Sequence, residues 1–325
     1  MNPFLDYVLM SFALGITFLY GCVGEIITEK SGHLNLGIPG IMCIGGACGC
    51  WVITLMYDPE NLCYFLPGFF VVFFSLIAAI LGGALMGALY SFLTVTLKSN
   101  QNVTGLTMTI FGAGTANYIM APFSTGGVSN QYLNAIKYFR FPFSENTSSL
   151  HYFGVMFFLA IIISIGASFI LSKTKLGLNL RSVGENPATA DAVGINVSQY
   201  KYLATIIGSA IAALGGLFHI MTFAGDQDAY QHIESLGWLS VALVIFTLWK
   251  PVISIIGSFV FGLLYLAGTS IPTLLRIEPP MNATHLIQSI PYVVTIIVLI
   301  FTSIRNKKEN QPPASLGVNY YREDR

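Results

Sequence analysis

Lys173–Val197 reads KTKLGLNLRSVGENPATADAVGINV, and this stretch decides how the rest of the chain is read. It is a polar island between hydrophobic sequences. Thr147–Ser172 before it and Tyr202–Gly225 after it contain no Asp, Glu, Lys or Arg; the island carries Lys173, Lys175, Arg181, Glu185 and Asp191. A short helix is written into it. Asn186 is a good N-cap, Pro187 suits the first helical position, and Ala188–Val193 are mostly helix formers. Gly194 supplies the left-handed residue that ends helices. About two turns of helix do not persist unaided, so contacts must hold them, with their own neighbours or with a partner.

Composition sets the class. Of 325 residues, 54% are hydrophobic and only 9% charged, and the mean hydropathy is +0.70. Charge-free runs cover Tyr7–Gly24, Ser31–Tyr57, Phe65–Leu97, Ser99–Ile136, Ser235–Trp249, Pro251–Leu275 and Pro279–Ile304. A helix crosses the hydrocarbon with ~20 residues, so these lengths suit helices and exceed membrane strands. The fold expected is an all-α integral membrane protein, one polytopic domain over residues 1–325, embedded in the lipid bilayer. A formal net charge of zero gives no case for nucleic acid. Cys22, Cys43, Cys48, Cys50 and Cys63 have no zinc spacing and read as small apolar packing residues. The start, MNPFLDYVLM, lacks the basic region of a signal peptide, so Tyr7–Gly24 is expected to be a retained span.

The island also sets an orientation. With Lys173–Val197 cytoplasmic, Tyr152–Ser172 runs inward, Tyr202–Phe223 outward, and Phe123–Leu150 lies outside with Gly225–Glu234 and Arg276–Asn282. Lys98, Lys173, Lys175, Arg181, Lys201, Lys250, Arg305, Lys307, Lys308, Arg322 and Arg325 then fall inside, against Lys137, Arg140 and Arg276 outside. The positive-inside rule agrees. The N-terminal half leaves two readings. Phe65–Leu97 is about 50 Å as one helix, long for one span and short for two, with Gly82-Gly83 a candidate break. One helix gives nine spans and an external N-terminus; two give ten and a cytoplasmic one, which is preferred.

Gly82-x-x-x-x-Gly87-x-Leu89-Tyr90 recurs as Gly257-x-x-x-x-Gly262-x-Leu264-Tyr265, the trace of a two-part repeat of the kind transporters use. Gly45 with Gly49, Gly83 with Gly87, and Gly208 with Ala212 and Gly216 stand at helix-packing spacing. Pro39, Pro122, Pro251, Pro272 and Pro291 sit near span ends, where a missing donor matters least. Asn102, Asn146 and Asn282 open sequons, a pattern common by chance.

Catalytic chemistry is missing. There is no phosphate loop, no H-E-x-x-H and no G-x-S-x-G, and His33, His151, His219, His232 and His285 lack ligand spacing. No metal, cofactor or nucleotide site is expected, so an ATP-driven role requires a second protein. The apolar runs are free of acids, and Asp226, Asp228, Glu234 and Glu278 fall in proposed loops, which argues against an ion-coupled carrier. Polar residues at membrane depth suggest a solute route. His33 and Asn35 sit at a membrane edge, where irregular backbone survives by lining a cavity. Gln101, Asn102, Thr104, Thr107, Thr109 and Asn117 share one stretch, the best candidate for a pathway wall. Each of these also suits ordinary helix packing.

The island resembles the cytoplasmic coupling segment of bacterial ABC-importer permeases, in the branch serving ribose-type sugars, branched-chain amino acids and nucleosides. Leu176-Gly177-Leu178-Asn179-Leu180-Arg181-Ser182-Val183-Gly184-Glu185-Asn186-Pro187 carry the likeness, followed by Ala190 and Ala192-Val193-Gly194-Ile195-Asn196. Asn35-Leu36-Gly37-Ile38-Pro39-Gly40 resembles an early Asn-Leu-Gly-x-x-Gly signature of the same family, with Pro39 where many relatives carry glutamate. Pro291–Thr295 and the tail Pro312–Glu323 are similar to nucleoside-type members. The resemblance implies a translocation subunit in a bacterial inner membrane, not an enzyme. It implies partners: ATP-binding subunits, a second permease and an extracytoplasmic solute-binding protein. Arg181, Gly184, Glu185, Asn186, Pro187, Ala190 and Gly194 would engage the ATPase. Nucleosides are the cargo implied, with simple sugars next; a self-contained carrier or channel is the rival class, and a membrane-embedded enzyme the third. The tail shows no anchor pattern, so Asn319→Ala is expected to do little.

Overall fold

The computed structural model describes residues 3–57, 68–121, 153–223, 232–275, 289–305 and 311–321, and all regular structure among them is helical. The elements are α1 (Pro3–Glu29), α2 (Ile38–Tyr57), α3 (Gly68–Ser91, continued by a π-helical turn Phe92–Thr96) and α4 (Gln101–Met120). Then come α5 (Val155–Lys173), α6 (Lys175–Glu185), α7 (Pro187–Ala192), α8 (Val197–Phe223), α9 (Ile233–Phe246), α10 (Pro251–Leu275) and α11 (Ile290–Arg305). Five segments are long and apolar enough to cross a bilayer: Phe4–Glu29, Phe70–Thr96, Val155–Lys173, Val197–Phe223 and Pro251–Gly268. Ile38–Ile53 and Ile233–Phe246 are shorter apolar helices.

Small residues decide which helices sit at the centre. In α1 and α8, 72% of the apolar window is buried, against 33% in α5. The first two therefore form the axis of the bundle, packed on each other and flanked by α2, α3, α9 and α10. α8 presents Gly208 to the backbone of Gly24 and Gly216 to the carbonyl of Met42; a Cβ at either would overlap backbone atoms. Gly45 and Gly83 meet Ala213 in the same way. Apolar surface alone gives helices no preference for one another over lipid tails, so close backbone approach supplies the specificity. The outward faces of α5 and α3 carry Ile162, Ile165, Phe169, Leu81 and Leu85, all exposed, as lipid-facing helices require. Cys22, Cys43 and Cys50 are buried packing residues and Cys48 is half-buried; Cys63 lies outside the described residues.

Several expectations change. α3 passes through Gly82 and Gly83 without a break, because both glycines lie inside a helix packed on α2 and α8. The ten-span reading therefore fails on the stretch that motivated it. The C-terminal end of α1 lies against the island, where Gly184 meets the backbone of Lys30. The N-terminus is thus at the opposite end of the bundle. A single cysteine replacing the exposed Phe4, in a cysteine-free background, should label from the opposite side of sealed vesicles to one replacing the exposed Ser198. Labelling of both from one side would restore the ten-span reading.

The acid-free spans also need correction. α1 extends past Gly24, so Glu25 and Glu29 are helical and buried, and the α9–α10 turn brings the Trp249 indole N–H to Glu29. Lys201 is buried in the first turns of α8. The repeated glycine pairs meet unlike partners: Gly87 packs on Ser209, whereas Gly262 packs on Ser11. No clear repeat follows from them. Pro39, Pro251 and Pro291 do stand in first helical turns, and Pro272 in the last turn of α10. His151, His285, Asp226, Asp228, Glu278, Asn146, Asn282 and Pro122 lie outside the described residues.

Candidate functional site

Three segments converge at the island end of the bundle: α6–α7, the turn between α1 and α2, and residues 311–321. Each is shaped by local capping. Asn186 accepts a hydrogen bond from the Thr189 amide at 3.0 Å, Pro187 opens α7, and Gly194 follows with φ 89°. That much matches the reading of the sequence. The first half of the island, where the sequence reading placed no helix, forms α6, with Thr174 capping Gly177 N–H at 3.2 Å. Its signal was the run Gly177, Leu180, Val183 and Gly184, spaced for one helical face, and all four are buried.

The island residues expected to engage an ATPase divide by position. Gly184 is buried, and a Cβ there would overlap the Lys30 carbonyl oxygen. Ala190 is buried with Val183 and Val197 in a small apolar cluster that seats α7. Arg181, Glu185, Asn186 and Gly194 are exposed, and Pro187 is half-buried. Exposed Leu176, Leu178 and Val193 add apolar surface at this end. Beside α7, a cleft of about 490 Å³ is lined by Asp191, Gly194, Asn196, Ser198, Lys98 and Tyr320 among others. Burial pulls the Lys30 ammonium below its ordinary value, and the nearby Glu185 carboxylate opposes that pull.

The α1–α2 turn is a hub. Gly32 ends α1 at φ 81°, and Asn35 opens α2 by accepting the Gly37 amide at 3.0 Å. The Asn35 amide itself donates to Glu25 Oε1 at 2.9 Å. Leu34 is held twice: its N–H donates to Gln101 Oε1 at 2.9 Å, and its carbonyl accepts from Tyr90 at 2.5 Å. Thr109 donates to Leu36 O at 2.8 Å. His33 is buried, with Nδ1 3.2 Å from Thr205 Oγ1 and its ring edge-on to Tyr90. Burial, with Lys201 and Lys98 nearby, holds the imidazole well below its usual range.

The pathway candidates therefore separate into two groups. His33, Asn35 and Gln101 are buried and bonded within the hub. Asn102, Thr107 and Asn117 lie on the exposed face of α4, opposite the face that packs Gly105 and Gly112 on the Leu36–Gly40 backbone. Thr107 bonds its own helix, donating to Val103 O at 2.8 Å.

The tail departs most from expectation. Asn319 donates to Lys98 O at 2.8 Å and Ser99 O at 3.1 Å, and accepts from Gln101 Nε2 at 3.1 Å. With its side chain bonded this way, Asn319→Ala is no longer expected to be neutral. No contact was expected of Ser315, Asn319 or Tyr320, because a polar segment of this kind carries no periodicity from which to infer contacts.

The profile of the family described as branched-chain amino acid transport system / permease component matches residues 6–303. A nucleoside ABC transporter permease protein of Lactococcus lactis subsp. cremoris is 30% identical, over 93% of this chain and 92% of its own. A putative glucose ABC transporter permease protein of Haloferax volcanii is also 30% identical, over 97% of this chain and 99% of its own. A guanosine ABC transporter permease protein of Bacillus subtilis is 26% identical, covering 85% of each. No solved structure matches the chain.

Proposed function

We propose, from the premise that the chain belongs to the branched-chain amino acid transport system / permease component family, that it imports nucleosides using ATP hydrolysed by separate subunits. Its membership makes it a membrane-embedded, multi-pass permease subunit of an ABC importer, a translocation subunit and not an enzyme. The observation that carries the ATP-coupled part of this reading is α7. A helix of six residues, capped at both ends and seated on α6 and α8, stands with Asn186 and Gly194 exposed. Such a helix is stable only through its contacts. Its exposed face suits a groove on a soluble ATPase, with Arg181, Glu185 and Val193 beside it.

In this reading the whole chain is one transmembrane domain in a prokaryotic cytoplasmic membrane. It pairs with a second permease and receives solute from an extracytoplasmic binding protein. The exposed face of α4, with Asn102, Thr107 and Asn117, lines the polar route between the two permeases. His33, Asn35 and Gln101 hold that helix from the cytoplasmic end.

Two similar proteins are named for nucleoside or guanosine transport, which favours that cargo. Simple sugar is the second reading, because the archaeal relative named for glucose is equally identical. The test is uptake by the reconstituted importer with ATP present. Labelled guanosine and uridine should accumulate, and excess glucose should not compete. Accumulation of glucose with no nucleoside uptake would transfer the assignment to sugars.

A further inference from the structure

Chain termini fray unless something ties them down, and the segment 311–321 is tied at Ser315, Gly317, Asn319 and Tyr320. Ser315 donates from its amide and hydroxyl to Gly184 O, at 3.0 and 2.5 Å, gripping the end of α6. Gly317 N–H donates to Gly32 O at 3.3 Å, in the α1–α2 turn. Asn319 bonds the Lys98 and Ser99 carbonyls and the Gln101 side chain. The Tyr320 hydroxyl donates to Asp191 Oδ2 on α7 at 2.9 Å, and Lys98 Nζ donates to the Tyr320 carbonyl at 2.7 Å.

These bonds form a continuous route. It starts at Asp191 on α7, passes through the Tyr320 side chain and the adjoining Asn319, and reaches Gln101, the first residue of α4. Gln101 is buried and uses both ends of its amide, since its Oε1 accepts from Leu34 N in the turn. α7 itself packs on α6 and the start of α8. Lys98 occupies the left-handed region at φ 58°, unusual for a side chain of its type, and there it meets both the Tyr320 carbonyl and the Tyr321 ring. A merely decorative tail would not join α4, α6, α7 and the α1–α2 turn through both side-chain and backbone bonds.

We infer that residues 315–320 are a transmission strap, through which displacement of α7 moves the head of α4 and the α1–α2 turn. This rests on the reading above that α7 receives the stroke of an ATPase, and it adds Ser315, Asn319 and Tyr320 as positioning residues for that stroke. They touch neither solute nor nucleotide. Their effect is confined to passing motion from one end of the route to the other.

The experiment compares the wild-type importer with an Asn319→Ala/Tyr320→Phe double variant, reconstituted with its ATPase and binding protein. The variant should retain the ATPase at wild-type stoichiometry and hydrolyse ATP at the basal rate. Solute-stimulated hydrolysis and uptake should fall by about fivefold or more, the lower end of ordinary site-to-site coupling. Asp191→Asn keeps an acceptor oxygen for Tyr320 and should restore coupling relative to Asp191→Leu. Wild-type uptake by the double variant overturns the strap and leaves the importer reading intact. If the wild-type chain recruits no ATPase, the importer reading fails, and hydrogen exchange on the detergent-solubilised permease alone still judges the strap. There, the double variant should raise exchange in 30–37 and 186–194 together. A change confined to 311–321 would overturn it.

Discussion

Gly216→Val is expected to abolish recovery of folded protein. A Cβ on Gly216 would overlap the Met42 carbonyl oxygen and lie 2.7 Å from its carbon, and both atoms belong to the backbone of α2. Overpacking costs about 1–3 kcal/mol where side chains can give way, and here none is available to move. The two helices must part, and α8 is also fixed against Gly24, Gly45 and Gly83 by contacts just as close. Valine adds three carbons where even the single carbon of alanine forces the helices to shift. The measurement is size-exclusion recovery and thermal denaturation in detergent. Gly216→Ala should survive with a lowered midpoint, whereas Gly216→Val should aggregate. The control is Gly166→Ala on the outer helix α5, where a Cβ meets nothing within 4 Å. Equal stability of all three would remove close approach as the organising contact of the bundle.

The second large effect falls at the island. Gly184→Ala places a methyl group against the Lys30 carbonyl and 3.1 Å from Gly32 N, prising α6 off the α1–α2 turn. The spans are not touched, so insertion and recovery should be normal. Transport should fall by about tenfold or more, within the ordinary range for lost coupling between sites. Gly194 provides the contrast, because its surroundings are open and only its φ of 89° is at stake. Gly194→Ala costs about 1–2 kcal/mol of backbone strain and should reduce transport less than Gly184→Ala. Gly194→Asn should lie closer to wild type, since Asn tolerates the left-handed region. If alanine and asparagine behave alike at 194, backbone conformation is not what that glycine supplies.

The parts legible in the sequence were those governed by local rules. Charge-free runs marked α1, α3, α5, α8 and α10, and the Asn186-Pro187…Gly194 pattern marked α7 with its cap, first residue and terminator. Small residues four apart marked the close contacts of α8. What escaped depended on tertiary neighbours. Glu25 and Glu29 look like loop acids because carboxylates belong in water; α1 extends over them because Asn35 N–H and Trp249 N–H, ten and more than two hundred positions along the chain, arrive to bond them. The length of Phe65–Leu97 suggested two spans, since no local rule says that one helix runs unbroken through Gly82-Gly83 and on into a π-helical turn. The tail was opaque for the same reason: Ser315, Asn319 and Tyr320 gain meaning only from Gly184, Gln101 and Asp191.

The measurement that bears most directly on the importer reading is solute uptake in proteoliposomes under two driving forces. One set holds the permease with its ATPase and binding protein, ATP and no ion gradient. The other holds this chain alone under an imposed proton or sodium gradient. The buried Glu25 and Glu29 make the second set necessary, because buried membrane acids are where ion-coupled carriers would place their chemistry. Uphill nucleoside uptake is expected only in the first set, lost when ATP is withheld. Gradient-driven accumulation by the chain alone would contradict it and make this protein a self-contained carrier.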